Sequence, residues 1–111
     1  YYTMTRRIHF MYKDKEYCLE FTRTTIKRME AKGFVVADVL NKPMSMLPEL
    51  FAGSFLANHP FTRRKEIDEI YEQFDDKGEL LNTLAEMYSL VLDDFVNELE
   101  KPGKGLKWER S

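Results

Sequence analysis

The segment from Met44 to Asn58 constrains the fold more than any other, because Glu49 is its only charged residue. At helical spacing, apolar side chains cover almost the whole circumference of such a helix, with Leu47, Leu50, Phe51 and Phe55 on one stripe and Met46, Ala52, Leu56 and Ala57 around the rest. A helix that is apolar on nearly every side must be buried on more than one side, by its own domain or by another molecule. The pattern therefore predicts a buried helix over residues 44–58, with Pro48 in its first turn.

Two short segments before this helix have the period-two alternation of β-strands. Their alternating apolar residues are Ile8, Phe10 and Tyr12 in the first segment and Tyr17, Leu19 and Phe21 in the second. The polar residues 13–16 predict a short turn, so we expect an antiparallel hairpin with one aromatic face toward a core. Because an isolated two-stranded hairpin is only marginally stable, helices must cover that face.

Capping residues and apolar spacing predict three further helices. They are a helix over about residues 23–32 between Thr22 as N-cap and Gly33, a helix that follows Thr62 and ends near Phe74, and a long helix over about residues 79–100. Residues 34–40 form a short segment rich in β-branched side chains. The sequence leaves open whether they form a third short strand or an extended linker. The sequence thus predicts an α+β fold, mainly helical, in which an N-terminal antiparallel β-hairpin packs with about four α-helices.

Length and apolar content favour one domain. The chain has 111 residues, of which 43% are hydrophobic, and a chain of this size buries roughly two-thirds of its unfolded surface when it folds. We expect a single α+β domain over residues 1–100. The glycines and lysines of residues 101–111 predict a flexible C-terminal tail, in which Leu106 and Trp108 are the only hydrophobic anchors.

The sequence favours a cytoplasmic protein. No stretch approaches the roughly 18 apolar residues of a membrane span, the first residues do not resemble a signal peptide, and Cys18 has no second cysteine with which to pair. Residues 1–65 carry a net charge of +6 and residues 66–111 a net charge of −8. This asymmetry disfavours nucleic-acid binding through a single basic face, and it favours self-association or a partner of mixed charge.

No arrangement of residues predicts catalysis, a metal site or a cofactor. His9 and His59 occur without an HExxH or CxxC pattern, and Gly53-Ser54 lacks the second glycine of a nucleophile elbow. Gly53 and Ser54 instead favour the close approach of a neighbouring helix. The acidic residues between Glu66 and Asp76 have the spacing of a solvated helix face rather than that of a calcium loop. We therefore expect a protein that is not an enzyme.

The sequence has more apolar residues than the predicted core requires, which favours binding to another protein. Residues 44–61 are rich in Met and Phe, and such side chains are typical of surfaces that repack to bind different partners. The candidate partner-binding residues are Met44, Met46, Phe51, Phe55, Leu56, Phe61 and Trp108. The sequence does not decide whether residues 44–61 form core or interface, nor whether Trp108 docks within its own chain or on another molecule.

Several motifs are similar to those of a known group of proteins. They are the segments 10–13, 16–23, 26–34, 42–44, 47–55, 67–71 and 84–88, within residues 8–99. Through them the chain resembles a family of small proteins from phages and prophages of Gram-positive bacteria, whose members look like tail assembly chaperones of long-tailed phages. The resemblance implies a small helical protein that binds the tape measure protein, or another tail protein, and keeps it soluble until the tail tube polymerises. The shared motifs are packing motifs, so no catalytic residue is implied.

Overall fold

The computed structural model describes residues 5–100 and residue 109. Within this part of the chain, a two-stranded antiparallel hairpin precedes five helices, so the predicted α+β, mainly helical fold is confirmed. The strands are β1 (Ile8–Tyr12) and β2 (Lys15–Leu19), and the helices are α1 (Arg23–Ala31), α2 (Asp38–Asn41), α3 (Pro43–Gly53), α4 (Arg64–Gln73) and α5 (Lys77–Glu100). Except for Glu109, the predicted tail lies outside the described residues. No helix among the described residues is long and apolar enough to cross a membrane.

The hairpin has the predicted aromatic face, but its turn is shorter than predicted, because Lys15 and Glu16 already belong to β2 and pair with Tyr12 and Met11. Lys13 and Asp14 form the turn with φ angles of 50° and 64°, and positive φ at both central residues is typical of a two-residue type I′ turn. Phe10 lies opposite Tyr17, and their rings stack with centroids 5.2 Å apart. Because Tyr17 is fully buried, this face of the hairpin is part of the core.

Helix α1 begins at the predicted residue and ends at Ala31, one residue before the predicted end. The Thr25 N–H donates to Thr22 Oγ1 at 3.1 Å, and the Thr22 N–H donates to Thr25 Oγ1 at 2.9 Å. This reciprocal pair is a capping box, which satisfies two backbone donors at the helix start. Gly33 follows the helix with a φ of 94°, in the left-handed region that glycine adopts without steric cost.

Residues 34–40 form neither a third strand nor an extended linker. The Phe34 N–H donates to Met29 O, and the N–H groups of Asp38 and Val39 donate to carbonyls three residues earlier. These bonds use the backbone groups that a strand would need for pairing, and they lead directly into the four-residue helix α2. Val39 is buried there, so its apolar character reflects core packing rather than a strand.

Helix α3 is shorter than predicted and occupies the middle of the core. Pro43, rather than Pro48, lies in its first turn, and Pro48 falls inside the helix. The helix ends at Gly53 instead of Asn58, and the N–H groups of Phe55 and Leu56 donate to the carbonyls three residues earlier, as in turns. The Glu20 N–H donates to Ser54 O at 3.1 Å. The chain therefore leaves α3 toward the hairpin instead of continuing as a helix.

Helix α5 starts slightly earlier than predicted and only its first part is buried. The Asp76 carboxylate accepts a hydrogen bond from the Glu79 N–H at 2.9 Å, as an N-cap does. Leu80, Leu84 and Tyr88 are buried, whereas residues 93–99 are exposed. Ion pairs from Arg6 to Asp94 and from Arg23 to Glu98 join this exposed part to the segment before β1 and to the start of α1.

Candidate functional site

Two of the predicted partner-binding residues, Phe51 and Phe55, belong to the core. Phe51 has no exposed surface, and Phe55 is almost as deeply buried. The Phe51 ring contacts the rings of Phe55, Tyr71 and Phe74, with centroids 5.1 to 5.5 Å apart, and Phe55 also contacts Tyr17. Placing these two residues on a binding surface is therefore wrong, because aromatic residues of β2 and of the α4 region cover this stripe.

Met46 and Leu56, two other predicted residues, come together in a groove. We call it the α1–α3 groove; it has a cavity volume of about 480 Å³. Its other apolar lining residues are Met29, Phe34, Ala52 and Gly53. Met46 and Leu56 are half-buried, so a part of each side chain remains available to a ligand.

The shape of the α1–α3 groove depends on Gly53. A β-carbon added to Gly53 would overlap with the Cε and Sδ atoms of Met29. The missing side chain thus lets α1 and α3 approach closely, as the sequence predicts. Met29 is itself buried, and because its thioether chain is flexible it can adjust between the core and the groove.

One edge of the α1–α3 groove is charged and ordered by ion pairs. The Arg64 guanidinium donates two hydrogen bonds to the Glu49 carboxylate, at 2.9 and 3.3 Å, and a third to Asp68 at 2.9 Å. These hydrogen bonds raise the pKa of Arg64 above its ordinary value. All three side chains are about half exposed. The network therefore fixes the positions of these side chains at the groove edge but adds little to the free energy of unfolding.

Met44 and Phe61 are exposed, at 92% and 95% of their surfaces, but they do not line the α1–α3 groove. Met44 lies at the beginning of α3, four residues after the exposed Leu40 of α2. Phe61 lies in the loop before α4, where it lines a separate depression of about 330 Å³ with Lys15, Arg63 and His59 among others. Trp108, the remaining candidate, lies outside the described residues.

Sequence reasoning missed a second groove, between α1 and α5. This α1–α5 groove has a cavity volume of about 630 Å³, and its apolar lining residues are Ile26, Val91, Leu92 and Phe95. The signal for it was present in the sequence, because the apolar stripe of α5 continues to Leu99. A stripe longer than the body that it packs against leaves its last turns uncovered, and here Phe95 and Leu99 are exposed.

Two hydrogen bonds join β2 to His59 and Glu66, near the depression beside Phe61. Tyr17 Oη donates to Glu66 Oε1 at 3.0 Å, and the Cys18 N–H donates to His59 Nε2 at 3.0 Å. Burial, together with the nearby Lys15, lowers the pKa of His59 and keeps its ring neutral at pH 7. In residues 5–100 and 109, no group of three or more His, Cys, Asp or Glu side chains is arranged to hold a metal ion.

Comparison with known proteins gives a family but no function. A family model described as a domain of unknown function (DUF5055) matches residues 4–111, which is nearly the whole chain. No curated protein and no solved structure matches the chain. A function must therefore be argued from the surfaces described above.

Proposed function

We propose that this chain, which belongs to the DUF5055 family, is a non-enzymatic tail assembly chaperone of a phage. In this proposal it binds the tape measure protein in the bacterial cytoplasm and masks an apolar helical segment of that protein. The observation that carries the proposal is the α1–α3 groove. The exposed apolar residues Leu40 and Met44 shortly precede the groove residues Ser45 and Met46 in the chain. The resemblance to phage proteins supplies the identity of the client.

The groove has the chemistry that recognition of a helix requires. An amphipathic helix binds by laying two or three apolar side chains into a hydrophobic groove. Met29, Met46 and Leu56 supply aliphatic and thioether surface here, and methionine-rich surfaces repack around different side chains. The Glu49–Arg64 pair at the edge can orient a client through its polar face.

In this proposal the client also contacts the exposed residues that precede and begin α3, but these residues cannot bind it alone. Leu40 and Met44 are 79% and 92% exposed, and burying each contributes about 1.5–3 kcal/mol. Association costs an estimated 4–15 kcal/mol in lost translational and rotational freedom. Two such residues are therefore insufficient for stable binding, and the client must also fill the groove.

The test is co-expression with the tape measure protein encoded by the same phage genome. We expect the wild-type chain to keep the tape measure protein soluble and to copurify with it. The variant Leu40→Asp/Met44→Asp should lose both effects without unfolding, because exposed positions tolerate substitution within about 0.5 kcal/mol. Met11→Asp is the matched control, since Met11 is an exposed methionine on the hairpin. The proposal would be contradicted if the tape measure protein were as soluble with the double variant, or without this chain, as it is with the wild-type chain.

One observation favours a second candidate function, that of a phage regulatory protein that binds a host factor. The exposed Phe61 lies beside Lys15 and Arg63, and neither Lys15 nor Arg63 forms an ion pair with a described residue. An aromatic side chain next to cations that have no carboxylate partner among the described residues suits an acidic partner. Binding to a host protein that is lost in Phe61→Asp and kept in Leu40→Asp/Met44→Asp would favour this function.

A further inference from the structure

The two edges of the hairpin differ in how they are covered. At the outer edge of β2, the Cys18 N–H donates to His59 Nε2 at 3.0 Å, and Cys18 O accepts from Asn58 Nδ2 at 3.1 Å. Just beyond β2, the Glu20 N–H donates to Ser54 O. Among the described residues the sheet has only two strands, so the other edge, that of β1, has no strand beside it.

The pairing of the strands shows which backbone groups of β1 point away from β2. Tyr12 and Lys15 flank a two-residue turn, so they form a hydrogen-bonded pair. Because pair types alternate along an antiparallel ladder, His9 and Met11 belong to pairs that exchange no hydrogen bonds with β2. Their N–H and C=O groups therefore point outward, and no described residue donates to them or accepts from them.

Strand β1 lacks the features that protect an exposed edge. Proteins protect such edges with charged side chains, proline or bulges, because unpaired backbone groups bind other strands. Residues 8–12 contain no Lys, Arg, Asp, Glu or Pro, and their pairing with β2 has no bulge. Met11 is 66% exposed. The side chains that face the core, Ile8, Phe10 and Tyr12, are only half-buried, so the edge offers apolar surface as well as backbone groups.

A second copy of β1 fits this edge, because the strand is self-complementary. In a two-fold symmetric contact, residue i meets residue j and residue j meets residue i. A two-fold axis at Phe10 places Ile8 of one copy opposite Tyr12 of the second copy, so apolar side chains meet on the core-facing side. In the same register, His9 lies opposite Met11 of the second copy, and the two residues exchange their N–H and C=O groups.

The charges permit this arrangement. The net charge of the chain is only −2, so long-range repulsion between copies is weak. The register brings Arg7 toward Lys13 of the second copy, but the Arg7 guanidinium donates to the Glu20 carboxylate at 3.3 Å. Lys13 leaves the extended conformation with a φ of 50°, and its ammonium lies over the Tyr12 ring, 5.4 Å from the centre.

We propose that the β1 edge binds β1 of a second copy, antiparallel about Phe10, so that the two hairpins form one continuous sheet. Strands of five residues give an interface at the small end of the range for protein pairs, so we expect a reversible dimer with a Kd of about 1 µM to 1 mM. This inference does not rest on the chaperone function, because no hairpin residue lines the α1–α3 groove.

The test combines sedimentation equilibrium of the full chain with amide hydrogen exchange followed by NMR. We expect the mass to rise toward that of a dimer between about 10 µM and about 1 mM. Over the same range, exchange of the His9 and Met11 amides should become several-fold slower. The Phe10 amide, which bonds to β2 within each copy, is the internal reference and should exchange slowly throughout.

Met11→Pro removes an outward N–H without removing a hydrogen bond to β2, so it should abolish the dimer and the concentration-dependent protection of His9. Glu16→Pro is the matched control, because Glu16 lies opposite Met11 and its N–H points to the other edge of the hairpin. Circular dichroism checks that each variant is folded. If either proline variant unfolds, Met11→Lys with Glu16→Lys as its control makes the same comparison, since lysine on an exposed edge strand opposes pairing.

Three results would overturn the proposal. The mass of a single chain over the whole concentration range would show that the edge does not pair. Slow exchange of the His9 and Met11 amides at every concentration would show that the edge is covered within one chain. A dimer that the substitutions at Met11 and Glu16 weaken equally, or leave unchanged, would place the contact on another surface.

Discussion

Replacing Phe51 by Ala separates the core from the binding surface within one predicted apolar region. Phe51 has no exposed surface and contacts three aromatic rings. Loss of the ring removes about 1.5–3 kcal/mol of transfer free energy. The cavity that remains adds to this, because close-packed neighbours relax only partly, so that Phe→Ala changes in cores cost about 3–5 kcal/mol.

A loss of this size is easily measured. Small domains are stable by only about 5–15 kcal/mol, and in a domain of about 100 residues each kcal/mol shifts Tm by roughly 4–8 °C. Phe51→Ala should therefore lower Tm by at least about 12 °C. Urea unfolding followed by circular dichroism gives the free energy of unfolding directly, and an unchanged m-value keeps the comparison two-state.

Phe61→Ala is the matched control for this experiment. Phe61 is 95% exposed, so its removal should change the free energy of unfolding by less than about 0.5 kcal/mol. If Phe51→Ala costs less than about 1 kcal/mol, or if Phe61→Ala costs as much as Phe51→Ala, the assignment of core and surface is refuted.

Two further predictions concern local contacts. His59 Nε2 accepts from the Cys18 N–H, and its pKa is lowered in the fold by burial and by Lys15, so stability present above about pH 6.5 should be lost as the pH falls through the lowered value. His59→Gln should remove this part of the pH dependence in urea titrations, and an unchanged pH profile would contradict it. Thr22→Ala should cost about 1 kcal/mol by opening the capping box, whereas Thr24→Ala, on the same helix and outside the box, should change the free energy of unfolding much less.

The sequence was sufficient for elements whose signals are local. The alternation around Phe10 and Tyr17 predicts both strands and their inward face. The capping box of Thr22 and the glycine at position 33 predict both ends of α1. In each case the hydrogen bonds or dihedral angles that define the element involve residues close together in the chain.

The sequence was insufficient where the deciding contacts are distant. Phe51 and Phe61 belong to one apolar region of the sequence, yet one is in the core and the other is exposed. The difference arises from Tyr71 and Phe74, which only the packing of α4 brings to Phe51. The end of α3 likewise depends on the hydrogen bond from Glu20 to Ser54, thirty-four residues apart, and periodicity contains no information on such contacts.

Helix α1 forms a wall of both grooves, and this determines which variants can test one groove without disturbing the other. Met29 lines the α1–α3 groove and Ile26 lines the α1–α5 groove, and both are buried. A substitution that destabilises α1 therefore disturbs both grooves and cannot show which groove an effect comes from. Met46 on α3 lines the α1–α3 groove and Phe95 on α5 lines the α1–α5 groove, so changes at these positions perturb one groove at a time.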